Sequence, residues 1–283
     1  MKTWYKEYKS VYNKPFSQVS DELVHEIHNK LQQMQSQEPV VTVSVIAYNE
    51  EERLLACLWS LSEMSCKYPM EIIGVNNNSQ DNTEAIFKKL GVPYFNEPEQ
   101  SPGHARQCGL DHARGKYFIN IDADTMYPPK YVELMVSTLE KERVVAVGSF
   151  WSYFPDKSHS WLSIKLYEFT RDCYLWALHF NRPELTVRGM VFGHDTVLAK
   201  QYGFRTNIIR GEDGSLAKDL IRHGKIIFLY KRKARAVTGY GTVGLDGSFF
   251  NSFWVRAKKA VLSIKKLFTK KDHYEDEESN LIK

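Results

Sequence analysis

Nowhere do the 283 residues contain an apolar run near the ~20 residues that a membrane-spanning helix needs. The first residues, Met1-Lys2-Thr3-Trp4-Tyr5-Lys6, lack the apolar centre of a secretory leader. Four cysteines, Cys57, Cys66, Cys108 and Cys173, show no C-x-x-C spacing and no histidines at zinc-ligand intervals. That excludes a zinc module or a dithiol redox pair and leaves buried free thiols. Charge of one sign is also scarce: the formal net charge is +4, too mild to mark a nucleic-acid binder by itself. With 43% hydrophobic and 25% charged residues the chain is no disordered segment, and its length allows one large unit or two lobes sharing a sheet. These absences point to a reducing, cytoplasmic setting.

What is present centres on Ile119-Asn120-Ile121-Asp122-Ala123-Asp124-Thr125, a β-branched run ending in two carboxylates one residue apart. Gly115 precedes it and Pro128-Pro129 ends it, so the run reads as a buried strand with Asp122 and Asp124 at its C-terminal end. In extended backbone residues i and i+2 point to one side, so both carboxylates converge on the crevice where open α/β sheets bind ligands. Two such charges call for a cation. Oxygen ligands suit Mg²⁺ or Mn²⁺, which complete their shells with water and substrate phosphates, and the implied partner is a diphosphate.

Residues 1–38 read as a separate helical extension with no chemistry assigned to it. Ser20 is its N-cap, Leu23, Ile27, Leu31 and Met34 form one stripe, and Pro39 closes it. Strand, polar turn and helix then repeat. Val41 to Ile46 leads into Ala47-Tyr48-Asn49-Glu50-Glu51, and Glu71 to Val75 leads into Asn76-Asn77-Asn78-Ser79, with Asp81 as a helix cap. A third helix has Ser101 as N-cap, Pro102 at its first position, Arg106 one turn in and Gly115 as its stop. The alternation implies a mostly parallel sheet flanked by helices, with Arg106 and a helix N-terminus favouring an anion in the crevice.

At this point the chain resembles the inverting glycosyltransferases of the family 2 type, built on the GT-A fold. Val45 to Glu51 is similar to the family's first strand and nucleotide loop, Val75 to Thr83 to its second, and Gly103-His104-Ala105-Arg106-Gln107 to its Ala-Arg-Asn helix. Asp122-Ala123-Asp124 resembles its metal-binding D-x-D, and Gly211-Glu212-Asp213 its E-D motif, whose aspartate is the catalytic base. The resemblance implies a nucleotide-sugar donor, UDP-linked by expectation, and a glycan or lipid-linked acceptor hydroxyl. Asp213 is then the base, Asp122 and Asp124 hold Mn²⁺ or Mg²⁺, and Ala47, Tyr48, Asn49, Glu50, Asn76, Asn77, Arg106, Ala123 and Glu212 bind substrate. The chain departs from the family where Asn76 and Asn77 replace aspartates and where Val237-Thr238-Gly239-Tyr240 lacks a metal-side histidine. The rival readings are a sugar nucleotidyltransferase, which needs a basic glycine-rich loop where this chain has Glu50-Glu51, and a silent glycan- or lipid-binding protein.

The expected division is the extension (1–38), a nucleotide-sugar half (39–148), an acceptor half (149–240), and a basic amphipathic helix with an acidic tail (241–283). The acceptor half is rich in aromatics; Trp161 to Phe180 reads as a core helix in preference to a platform on which sugar rings stack, and His194-Asp195 as structural more than catalytic. Lys231 to Arg235 carries no nucleic-acid signature, so no nucleic-acid partner is expected. In 248–271, Phe250, Phe253, Trp254, Ala257, Val261, Ile264 and Phe268 keep one helical face among lysines and arginines with no acidic residue. Two readings stay open: a helix lying peripherally on the anionic inner face of a membrane, or one packed on the body.

Overall fold

The computed structural model describes residues 3–154, 161–239 and 280–282. The β-branched runs form β1 (Val41–Ala47), β2 (Met70–Asn76) and β4 (Tyr117–Asp122), while β3 (Tyr94–Asn96) is a short edge strand. These four are mutually parallel, and the seven-stranded sheet runs β3-β2-β1-β4-β8-β6-β9 with β6 (Val144–Ser149), β8 (Phe192–Asp195) and β9 (Lys225–Leu229). β8 is antiparallel to both neighbours, so it stitches the two halves of the chain into one sheet. A second, three-stranded sheet orders β5 (Thr125–Met126), β10 (Ala236–Thr238) and β7 (Trp151–Tyr153). It brings the last described strand alongside the residues just after Asp124.

β1 is buried on both faces, which is why it reads as a continuous apolar run rather than an alternating one. Val41, Val43 and Val45 enter the main core with α2 (Leu54–Ser62) and α5 (Tyr131–Leu139). The opposite face is covered by α4 (Pro102–His112), α7 (Thr196–Tyr202) and α8 (Glu212–Leu220). α3 (Thr83–Lys89) adds Ile86 and Phe87 to the main core.

Ser20 caps α1 (Asp21–Met34) as expected, its hydroxyl accepting from Leu23 N, and Ile27 and Leu31 are fully buried. The extension is nevertheless not separate. Tyr8, Val11 and Tyr12 lie in the main core, because an aromatic cluster ahead of the helix finds its apolar partner on α2, where Tyr8 stacks edge-on to Trp59. Ser101 also caps α4, but Gly115 is not its stop: the helix ends at His112. Gly115 is a close approach instead. A side chain there would overlap the backbone of Val41 and Thr42, where β4 enters beside β1. Thr42 Oγ1 accepts from Gly115 N at 2.9 Å and donates to buried Glu71, which also takes Arg114.

α6 (Trp161–Asn181) differs most from its sequence reading. It is no core helix: only Ile164, Glu168, Leu175 and Leu178 are buried, and Tyr167 and Tyr174 are half-buried. Trp161, Phe169, Trp176 and Phe180 face outward, because one side suffices to meet β7 and the turn Pro183–Leu185 that follows. Among the described residues no helix is long and apolar enough to cross a membrane. The segment 248–271 lies outside the described residues.

Candidate active site

The ends of three parallel strands converge. β1 leads into the loop after Ala47, β2 into Asn77, and β4 into Asp122, with Asn77 N donating to Ala47 O and Ala123 N to Ile46 O. Asn49 takes a left-handed backbone (φ 53°), which asparagine tolerates better than most residues, and its Oδ1 accepts from Gln80 N. The first loop is tied to the second again where Asp81 accepts from Glu51 N and from Thr83 N; the N-cap of α3 is Asn82, not Asp81, and Asp81 closes the turn that leads into the helix. Tyr48 is exposed beside them. A cavity of about 500 Å³ lined by Asn13, Asn49, Glu51, Glu52, Arg53 and Asp81 opens next to this loop pair.

Several expected substrate contacts have local duties. Asn76 donates to Asn96 and accepts from Ser79 N, and Asn77 donates to the carbonyls of Glu97 and Glu99. Both are buried anchors of the second loop. Glu50 is half-buried beside the carboxylates at the end of β4. It pairs with Arg53 at 2.7 Å, and its carboxyl is pushed up to about 8, first by burial and then by Asp124.

Arg106 also departs from expectation. The helix α4 does not present it as a free anion clamp; it is buried, and three carboxylates share it. Its Nη2 donates to Asp122 Oδ1 at 2.8 Å, while Nε lies 3.3 Å from Glu212 Oε1 and 3.1 Å from Asp213 Oδ1. Burial works against its charge, but Asp213, Asp122 and Glu212 more than offset that and hold it protonated. One positive charge cannot neutralise three negative ones. Asp213 accordingly sits well above the usual carboxylate range: burial raises it first, Arg106 opposes, and Glu212 and Asp122 add to the rise. Asp122 therefore has a neutralising partner that the sequence did not show.

Strand geometry does not carry the D-x-D, because β4 stops at Asp122 and the chain turns through Ala123 and Asp124. The two carboxylates still feel each other: Asp124 is raised by burial first and by Asp122 next. Thr125 Oγ1 donates to Asp124 Oδ1, and Thr238 Oγ1 on β10 and Tyr12 Oη both donate to its carbonyl. Tyr12, at 2.9 Å, brings the N-terminal extension into the site, 112 residues away in sequence. Burial keeps that phenol protonated and hence a donor. No sequence signal singles out Tyr12 among its neighbouring aromatics.

Gly189, in the turn before β8, owes its place to a close approach. A side chain at Gly189 would overlap the Arg106 guanidinium and crowd Asp213, so only glycine lets that turn lie over the cluster. Tyr127 Oη fixes the turn by donating to Met190 O while accepting from Asp122 N. His194 and Asp195 are structural, as read. His194 is fully buried among Phe118, Phe192 and Phe204, its pKa pushed down to about 4 by burial, and Asp195 caps α7 by accepting from Leu198 N.

Among the described residues no group of three or more His, Cys, Asp or Glu is arranged to hold a metal ion. The donor set nonetheless fits a hard divalent cation: among the described residues Glu50, Asp122, Asp124, Glu212 and Asp213 outnumber the guanidiniums that face them, Arg53, Arg106 and, beside Asp213, Arg188.

The chain is 28% identical to an uncharacterized glycosyltransferase of Methanocaldococcus jannaschii over 185 residues, 62% of each chain. It is 31% identical to the glycosyltransferase AglE of Haloferax volcanii over 122 residues, 41% of this chain and 40% of that one. The chain thus spans about two fifths to three fifths of these relatives' length. In fold it is similar to the mannosyltransferase PcManGT of Pyrobaculum calidifontis, solved with GDP-Man and Mn²⁺ (TM-score 0.59, 18% identity, covering 84% of this chain and 72% of that one). It is likewise similar to TarS of S. aureus, solved with UDP-GlcNAc (TM-score 0.52, 17% identity, covering 70% and 58%). These are GT-A proteins, and the mixed sheet with its helical layers is the same architecture. Residues 42–194, just over half the chain, match the family described as glycosyl transferase family 2, and the protein belongs to that family.

Proposed function

We propose that the protein transfers a sugar from a nucleoside diphosphate donor to an acceptor hydroxyl, with inversion at the anomeric carbon. The observation that carries this reading is the cluster of Asp122, Glu212 and Asp213 on one buried guanidinium, beside Asp124, where three parallel strands end. A divalent cation, Mn²⁺ or Mg²⁺, held by Asp122 and Asp124 would neutralise charge growing on the departing diphosphate. The chain's own groups do the rest. Asp213 takes the acceptor proton as general base, a task its raised pKa suits, since an ordinary carboxylate is a weak base at neutral pH. Arg106 and Glu212 are positioning residues: they aim Asp213 and tie it to Asp122, so donor side and base stay in register. Tyr48, Asn49 and the Asn76–Asn77 turn border the nucleotide, and a uridine base is favoured because the amide oxygen of Asn77, whose N–H groups go to the carbonyls of Glu97 and Glu99, can meet its imide N–H.

In this reading residues 39–148 hold the donor and 149–240 the acceptor, a glycan or lipid-linked alcohol. The PcManGT and TarS structures, bound to GDP-Man and UDP-GlcNAc, support a nucleotide-sugar donor without fixing the base. Incubating purified protein with a panel of nucleotide sugars and Mn²⁺, and measuring released nucleoside diphosphate, tests it. At least one donor should be hydrolysed slowly in a metal-dependent way. Turnover of nucleoside triphosphate plus sugar phosphate instead would transfer the site to the nucleotidyltransferase class.

A further inference from the structure

On α6, Leu162, Leu166, Phe169, Cys173, Trp176 and Phe180 recur at four- and three-residue intervals and all are exposed, the five large side chains by 53–70%. This is one continuous apolar stripe along a 21-residue helix, on the side away from Ile164, Glu168, Leu175 and Leu178. Among the described residues nothing covers it, and soluble proteins rarely leave so long a patch exposed. Its acidic neighbours are consumed inward: Glu168 accepts from Tyr153 N and pairs with Lys165, and Asp172 pairs with Arg171 and Arg235. The segment bordering the C-terminal half of the helix is basic and exposed. Tyr230 lies against His179, and Lys231, Arg232 and Lys233 follow it on the surface.

We propose that this face of α6, with Lys231–Lys233 at its edge, docks the protein on an anionic lipid surface. Trp, Phe and Leu side chains gain by entering the acyl boundary, and the lysines gain from the headgroup charge. Charge decides against the other occupants. A second copy seated on the stripe by two-fold symmetry would meet the basic run with the α6 acids Glu168 and Asp172, which are already paired. Residues 248–271 of this chain are charged only by Lys and Arg, so covering α6 with them would set like charge against Lys231–Lys233. Coverage by the acidic run 272–278 is an outcome of the flotation test, since it would leave anionic vesicles unbound. The inner side of α6 packs on β7 in the half proposed to hold the acceptor, so docking would present that half to a lipid-linked alcohol. That corollary rests on the proposed transferase reading; the docking itself does not.

Flotation of the full chain with vesicles of phosphatidylcholine, alone or mixed with phosphatidylglycerol, tests the proposal without any nucleotide sugar. Co-flotation is expected with the mixed vesicles only, and should weaken with salt. The double variant Phe169→Glu/Trp176→Glu should lower it at least about tenfold, with an unchanged thermal melt because both positions are exposed. Cys173 adds a local probe: with Cys66→Ser, an environment-sensitive fluorophore on Cys173 should shift to the blue on mixing with anionic vesicles. Three results would overturn the proposal: no flotation with anionic vesicles at low salt, flotation undiminished in the double variant, or a dimer in light scattering that the same variant dissolves without any vesicle binding.

Discussion

Asp213 is where the residue-scale reading is most exposed to test. Its folded-state pKa is raised, by burial first, so between the ordinary carboxylate range and that raised value the native state holds a proton that the unfolded chain has released. Stability therefore falls as pH rises through that window, while the fraction of competent base grows. Asp213→Asn should cut transfer by ~10²-fold or more with donor affinity nearly unchanged, and should remove the rise of rate with pH across neutrality. It should also raise stability at neutral pH by ~1 kcal/mol, about 2–4 °C in Tm, because Arg106 still keeps two carboxylates. A variant that loses both rate and stability would make Asp213 a structural anchor. The Glu212-Asp213 and Asp122-x-Asp124 strings were legible in the sequence because each is a local motif. Their neutralisation was not: Arg106 reaches Glu212 across 106 residues, and Tyr12 reaches Asp124 across 112. Hydrogen bonds closed by tertiary packing leave no trace in spacing.

At the scale of the element, local physics was legible wherever it suffices. β-branched runs became β1, β2 and β4, and Ser20 and Ser101 became caps, because strand propensity and capping depend on near neighbours. Gly115 marks the limit. A glycine after a helix reads as its C-cap, yet its φ is not in the left-handed range and its reason is the nearness of β1. Gly115→Ala should destabilise by roughly 1–3 kcal/mol, since backbone, not a movable side chain, stands where the methyl would go. Urea unfolding measures this, and a cost below ~0.5 kcal/mol would mean that β1 and β4 can shift apart without penalty. β5, β7 and β10, of two or three residues each, are strands only because they find one another. α6 failed for a related reason, since an aromatic-rich helix has two faces and the sequence does not say which one is covered.

Over the whole molecule, the antiparallel strand β8 locks the half carrying Asp122 to the half carrying Asp213, and β10 returns Thr238 to Asp124. The result is an excess of carboxylate around one crevice, and that excess is the physical basis for the proposed metal-assisted nucleoside diphosphate site. The most direct test is calorimetric titration of the protein with UDP, and with GDP in parallel, in Mn²⁺ and again in excess EDTA. Binding of at least one nucleotide in Mn²⁺, lost in EDTA and lost in Asp122→Asn/Asp124→Asn, is the expected result. Equal affinity with and without the metal, or full Mn²⁺-dependent affinity in the double variant, would contradict it.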